Sequence, residues 1–245
     1  MTQAPGTPLD PATSDAGDPL DARGARRRAV ADVRRASVLA AARSAFFELG
    51  LEGASLREIA KRAGYSPGAI YSYFASKEEV YAALLGESLE RLNSQVQGAA
   101  TTAPASRSIT ARQAAAREVV RARATAFFDF YRENPRDLDL GFYLFHGMQP
   151  RGLTPALNEP LNARLRDALA PTHDGLVALG LGADEAQTEV TALFAHIVGL
   201  LVLSHTGRIR MFRQESGALF ARYLEALLLR ATQTAQTDKS RGASR

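Results

Sequence analysis

The chain has 245 residues, 46% of them hydrophobic and 23% charged, with a net charge of +4. That length buries roughly 70–75% of the unfolded surface without staples, and the lack of cysteine excludes disulfides, thiolate metal sites, iron–sulfur clusters and a cysteine nucleophile. The opening residues show no secretory signal, and the most apolar stretch, Val190 to Leu203, is interrupted by His196 and falls short of the ~18 residues of a membrane span, so a soluble, cytoplasmic protein with no membrane partner is expected.

Residues 1–22 carry four Asp, no Lys or Arg, and Pro5, Pro8, Pro11 and Pro19. They hold too few large apolar groups to offset ordering entropy, and an extension over 1–28 is expected to be disordered. Residues 23–81 carry eleven basic against six acidic side chains, and residues 82–245 nineteen against sixteen. Positive charge is densest in residues 23–35, where six Arg face one Asp. A basic patch at the start of the folded chain is the electrostatic footprint of nucleic-acid binding, although most basic faces are simply solvated.

From Ala36 onward nearly every segment has helical spacing, punctuated by Gly and Pro (Gly50, Gly64, Pro135, Pro171, Gly180 among them), and no strand pattern or fixed-period repeat occurs. The fold class predicted is all-α, with about nine helices. The first helix spans about Ala36 to Leu49, with Val38, Leu39, Ala42, Phe46 and Leu49 on one stripe, and Gly50 is expected to end it in the αL conformation. The second starts at Ser55 with Glu58 three residues on, a capping box. The third starts at Ser66, with Pro67 at its first position, and is expected to reach Phe74. The fourth starts with a second box, Ser76 and Glu79.

The second helix, a turn at Gly64–Tyr65 and the third helix have helix-turn-helix spacing, in which the second member lies in a major groove. An ordinary helical hairpin has the same outline. The outer surface of the third helix tips the balance. Ile70 and Phe74 reach the core, leaving Pro67, Gly68, Ala69 and Ser72 outside with the Tyr71 and Tyr73 hydroxyls. Small residues let the backbone approach base edges, and hydroxyls reach phosphates. Lys77 adds an ammonium at a helix start that already favours an anion.

The stretch AARSAFFELGLEGASLREIAKRAGYSPGAIYSYFASKEEVYAALL, about residues 41–85, resembles the N-terminal domain of the TetR family of transcriptional regulators. The resemblance implies a homodimer whose N-terminal domains read a palindromic double-stranded DNA operator. A larger helical domain would hold a small-molecule effector and the dimer interface. It implies that Tyr71, Tyr73 and Lys77 contact phosphates, that Pro67, Gly68, Ala69 and Ser72 lie on base edges, and that Arg57 reaches a base or phosphate. The Arg-rich arm either enters a minor groove or adds long-range attraction. The expected domains are the helix-turn-helix domain at 29–82, ligand-binding and dimerisation at 83–233, and a disordered tail at 234–245.

A long helix is expected over Ser108 to Asn134, followed by DLDLGFYLFHGMQPRG, loosely like the Trp/Phe-His-Gly region of one subclass of these regulators. Tyr131, Phe142, Phe145, His146, Met148 and Phe194 are the candidate lining of a largely apolar effector pocket, and equally a plain core. A helix over Asp184 to Thr206 is apolar nearly all round, and Leu219, Phe220, Tyr223, Leu224, Leu227 and Leu228 form a matching stripe. These two helices from each chain are expected to build a four-helix dimer interface. None of the four His has a ligand-like neighbour, and no phosphate loop or nucleophile motif occurs, so no metal, cofactor or enzyme activity is expected. The sequence thus points to a ligand-responsive repressor. Two alternatives fit the same residues: a TetR-like activator or architectural DNA-binding protein not controlled by ligand, and a helical small-molecule-binding protein or enzyme with a vestigial helix-turn-helix.

Overall fold

The computed structural model describes residues 19–99, 108–142 and 153–242. Among the described residues there are ten helices and no strand. α1 (Pro19–Gly53), α2 (Leu56–Ala63) and α3 (Pro67–Ile70) form the N-terminal unit with the first turns of α4 (Lys77–Gly98). The remainder comprises α5 (Ile109–Glu133), α6 (Pro135–Phe142), α7 (Pro155–Leu179), α8 (Ala183–His205), α9 (Arg208–Met211) and α10 (Ser216–Gly242). The all-α expectation holds, and the one helix beyond nine is α9, a single turn.

Several boundaries differ from expectation for one physical reason: extending an existing helix is far cheaper than nucleating one. Residues 19–28 were expected to be disordered, yet α1 begins at Pro19, the position where a missing N–H is harmless. Residues 234–242 likewise continue α10, and 1–18 and 243–245 lie outside the described residues. Pro171 does not break the chain; α7 runs through both Pro160 and Pro171. Gly50 does end the regular part of α1, but with φ 71° and ψ 172°, a region open essentially to glycine alone rather than the αL cap anticipated.

α4 is the rod that joins the two halves. Its first residues pack on α1, and its remainder lies against α7 and α5. At 22 residues it spans ~33 Å. Val80 and Leu84 lock it to the N-terminal unit, and Leu89, Leu92 and Val96 face the bundle. Gly175 of α7 lets α5 come close: a Cβ there would lie 2.6 Å from Val120 Cγ2.

α8 is longer than the apolar run counted from Val190. Its 23 residues are long and apolar enough, by length and composition alone, to cross a membrane. In the fold it packs on α7, α10 and α5 through Val190, Leu193, Ile197 and Leu201. The stripe on α10 is also spent within the chain. Phe220, Leu224, Leu227 and Leu228 are buried, so they do not wait for a partner as expected. Among the residues α8 leaves exposed, Ala192, Ala195, Gly199 and Leu203 make an apolar row along one side.

Candidate nucleic-acid interface

Ser55 caps α2 by accepting the Glu58 amide at 3.2 Å. The return arm of that box is not made: the Glu58 carboxylate accepts from Arg62 Nε at 2.8 Å. Arg62 also pairs with Glu48 at 2.9 Å and donates to Ser44 Oγ at 3.1 Å, so it clamps α2 to α1. The Ser44 hydroxyl donates to Glu48 Oε1 at 2.9 Å, and together with Arg62 it holds the Glu48 pKa below its ordinary value. At α4, Ser76 accepts the Glu79 amide, while Glu79 reaches one residue further back, to the Ala75 amide at 2.8 Å. These local bonds fix the starts of α2 and α4, the helices on either side of α3 in the chain.

α3 itself is shorter than predicted. Regular helix covers only Pro67–Ile70, capped by Ser66 through the Ala69 amide at 3.3 Å. Tyr73 and Phe74 amides then both donate to the Ile70 carbonyl, at 2.8 and 3.0 Å, a shared acceptor typical of a tightened helix end. Gly64 makes the turn before α3 with φ 74°, its amide bonded back to Lys61.

The fold anchors this element by two side chains. Ile70 is 0% exposed and Phe74 3%. Pro67, Gly68, Ser72 and Arg57 lie on the surface, Ala69 is half-buried, and Tyr71 is 61% exposed. Tyr73 is half-buried and packs on the core, so of the two tyrosines expected on the outer surface only Tyr71 stands free. The Ser72 hydroxyl donates to the Ala69 carbonyl at 2.7 Å, leaving its lone pairs outward. Lys77 Nζ donates to the carbonyls of Leu51 at 2.9 Å and Glu52 at 3.5 Å. Periodicity could not reveal that second duty, because the carbonyls come from the end of α1. Arg35 was also missed as a structural partner: its guanidinium sits 4.5 Å from the Phe74 ring centroid.

The candidate effector residues divide. Tyr131, Phe142 and Phe194 come together with Phe127: Tyr131–Phe142 centroids are 5.6 Å apart, Phe142–Phe194 5.7 Å and Phe127–Phe194 5.9 Å. Burial pushes the Tyr131 phenol well above its ordinary value, which keeps it neutral. Phe145, His146 and Met148 lie outside the described residues. A cavity of about 360 Å³ opens at a different place, between α1, α4 and α6, lined by Phe46, Phe47, Leu51, Tyr81, Arg136 and Leu140 among others. None of the expected effector residues lines it. The Tyr81 hydroxyl donates to the Leu140 carbonyl and Arg91 pairs with Asp137 at 2.5 Å, so α6 is tied directly to α4.

Comparison with known proteins adds the following. Residues 38–84 match the model for bacterial regulatory proteins of the tetR family. Over 128 residues the chain is 35% identical to the HTH-type transcriptional activator FasR of Mycolicibacterium smegmatis, covering 51% of this chain and 54% of FasR. It is 40% identical over 60 residues to the HTH-type transcriptional repressor AcnR of Corynebacterium diphtheriae, 24% of this chain and 32% of that one. The chain thus matches about half the length of FasR or less of these relatives. The crystal structure of the regulatory protein SCO4313 superposes with a TM-score of 0.64 at 21% identity, over 82% of this chain and 98% of that one.

Proposed function

We propose that the chain, whose residues 38–84 match the model for bacterial regulatory proteins of the tetR family, is a DNA-binding transcriptional regulator of that family, a homodimer that grips a palindromic operator and responds to a small, largely apolar effector. The observation that carries this is the surface of α3. Two buried anchors, Ile70 and Phe74, turn Pro67, Gly68, Tyr71 and Ser72 outward. Few structural needs are met by exposing a large aromatic ring beside a bare backbone; a base edge and a phosphate use both. Arg57, exposed on α2, and Lys77, at the start of α4, carry positive charge on the helices either side of α3 in the chain.

Dimerisation is supported by α8. Its row Ala192, Ala195, Gly199 and Leu203 is exposed and apolar, and a second copy laid against it would cover that row. Coupling to an effector follows from α4, which starts at Lys77 and is tied to α6 at its middle. An effector entering beside Tyr131, Phe142 and Phe194 would shift α6, and with it the spacing of the two α3 elements. Such a ligand changes affinity only as far as it prefers one spacing over the other. Release of DNA by the effector makes the protein a repressor. The second reading, an activator, has one observation behind it: the match to FasR spans 128 residues, more than the 38–84 of the family model.

Selection of duplexes from a randomised pool by the full chain tests the proposal. A palindromic sequence should emerge, bound at a Kd of ~10⁻⁸ M or tighter. Recovery of no motif, with every duplex held at only the ~10⁻⁴–10⁻⁶ M of non-specific binding, overturns it. Thermal shift with apolar carboxylates and thioesters, repeated with operator DNA present, tests the effector: stabilisation by ligand alone together with loss of DNA binding is expected.

A further inference from the structure

α1 begins at Pro19, yet from Arg23, where burial is described, the first fully buried side chain is Val38. The intervening length is ~28 Å of helix, and it carries Arg23, Arg26, Arg27, Arg28, Arg34 and Arg35 against two acids, Asp21 and Asp32. At ~100° per residue, Arg23, Arg27 and Arg34 fall within ~40° of one another down the helix axis. They form a stripe that continues, toward the N-terminus, the side of the helix that holds Ala45 and Val38, ~40° and ~60° round from Arg23. All three are exposed, and no acid among the described residues pairs with them. Like charges at i,i+3 and i,i+4 cost a few tenths of a kcal/mol each, so this helix gains from an outside anion.

The arm is oriented by its root. Arg35 lies over Phe74, the residue that anchors the outward-facing α3 element. The arm therefore leaves the domain beside the surface assigned to DNA, as a rigid continuation of α1. A helix with its side chains is ~10–12 Å across, whereas the minor groove is ~6 Å wide. A helical arm does not fit inside it, and backbone phosphates are what its arginines can reach.

We propose, resting on the DNA-binding reading above, that the N-terminal helix of α1 is a second, sequence-independent DNA contact, whose Arg23, Arg27 and Arg34 stripe holds phosphates beyond those reached by α3 and Lys77.

The test uses the full chain and a duplex recovered by selection, in two lengths: trimmed to the palindrome, and with mixed-sequence flanks of ~12 bp, longer than the arm at ~3.4 Å per base pair. Wild type and R23Q/R27Q/R34Q are titrated by fluorescence anisotropy across about 50 to 300 mM KCl. On the long duplex the wild-type slope of log K against log[salt] should exceed the variant's by about 2–3 per protomer, at ~0.9 per phosphate. On the trimmed duplex the two proteins should agree, and R23K/R27K/R34K should keep the wild-type slope on both. Circular dichroism confirms that the helix persists in each variant. Equal wild-type slopes on both lengths overturn the proposal, as does a variant that loses equally on the trimmed duplex. A loss confined to A·T-only flanks points to groove insertion and overturns it too. Tight binding with equal slopes removes the arm alone, whereas failure of wild type to bind any duplex removes the regulator reading and the arm with it.

Discussion

Lys77 has two jobs in this structure, and one substitution separates them. Its ammonium has three donors; two point at the Leu51 and Glu52 carbonyls at 2.9 and 3.5 Å, leaving one for a phosphate. Lys77→Ala leaves the Leu51 carbonyl to water, at a cost of about 1 kcal/mol because the site is only half-buried. If Lys77 also holds one phosphate per protomer, the salt slope of a dimer falls by ~1.8, so the ratio of affinities at about 50 and 200 mM salt shrinks roughly tenfold. Lys77→Gln keeps a donor for Leu51 but no charge. It should recover most of the stability lost in Lys77→Ala and none of the slope. The assay is anisotropy on the selected operator over a salt series, with thermal melting of the free proteins alongside. Should alanine weaken binding by the same factor at every salt and glutamine restore it, Lys77 is a clamp for the end of α1 and not a phosphate ligand.

Gly175→Ala forces a Cβ to within 2.6 Å of Val120 Cγ2; overpacking of about 1–3 kcal/mol outweighs the ~1 kcal/mol gained in helix propensity. Tm should drop by a few degrees, and an unchanged or higher Tm would show that α5 and α7 are not so close. Ala195→Arg, on the outer face of α8, should yield a folded monomer by sedimentation with much weaker operator binding; a variant that stays dimeric moves the interface elsewhere. His196 stacks on Tyr223 at 3.9 Å with its Nε2 buried and unpartnered, and burial lowers its pKa. The neutral form is therefore favoured by folding: its contribution is fully present above about pH 6.5 and lost as pH falls. Tm of His196→Phe should decline less than that of wild type between about pH 7.5 and 5, and parallel declines would count against this account.

How much of this was legible in the sequence follows from the range of each interaction. Ser55, Ser66, Ser76 and Gly64 act on amides and carbonyls within five residues, and all four appear at the helix ends their residue types announce. Asn134 ends α5 in the same way, its Nδ2 donating to the Phe130 carbonyl at 2.8 Å, whereas Ser108 stands at the start of α5 without a side-chain cap bond. The burial of Ile70 and Phe74 was also readable, because a four-residue step keeps both on one face. The failures begin where a side chain must choose between partners. Glu58 had the return arm of its box available and took Arg62, which Glu48 and Ser44 of α1 also hold. Lys77 meets a carbonyl 26 residues away. The cavity at α6 draws on Phe47, Tyr81 and Leu140, whose separation hides it from any period. The α10 stripe shows the limit most plainly. Its spacing says that Phe220, Leu224 and Leu228 are buried, but the same spacing serves a neighbour in the same chain or one in a partner. Only the packing of α8, α7 and α5 around it decides for the former. That leaves the thin row Ala192, Ala195 and Gly199, whose small side chains carry little signal in any hydropathy pattern, as the surface on which association must be tested.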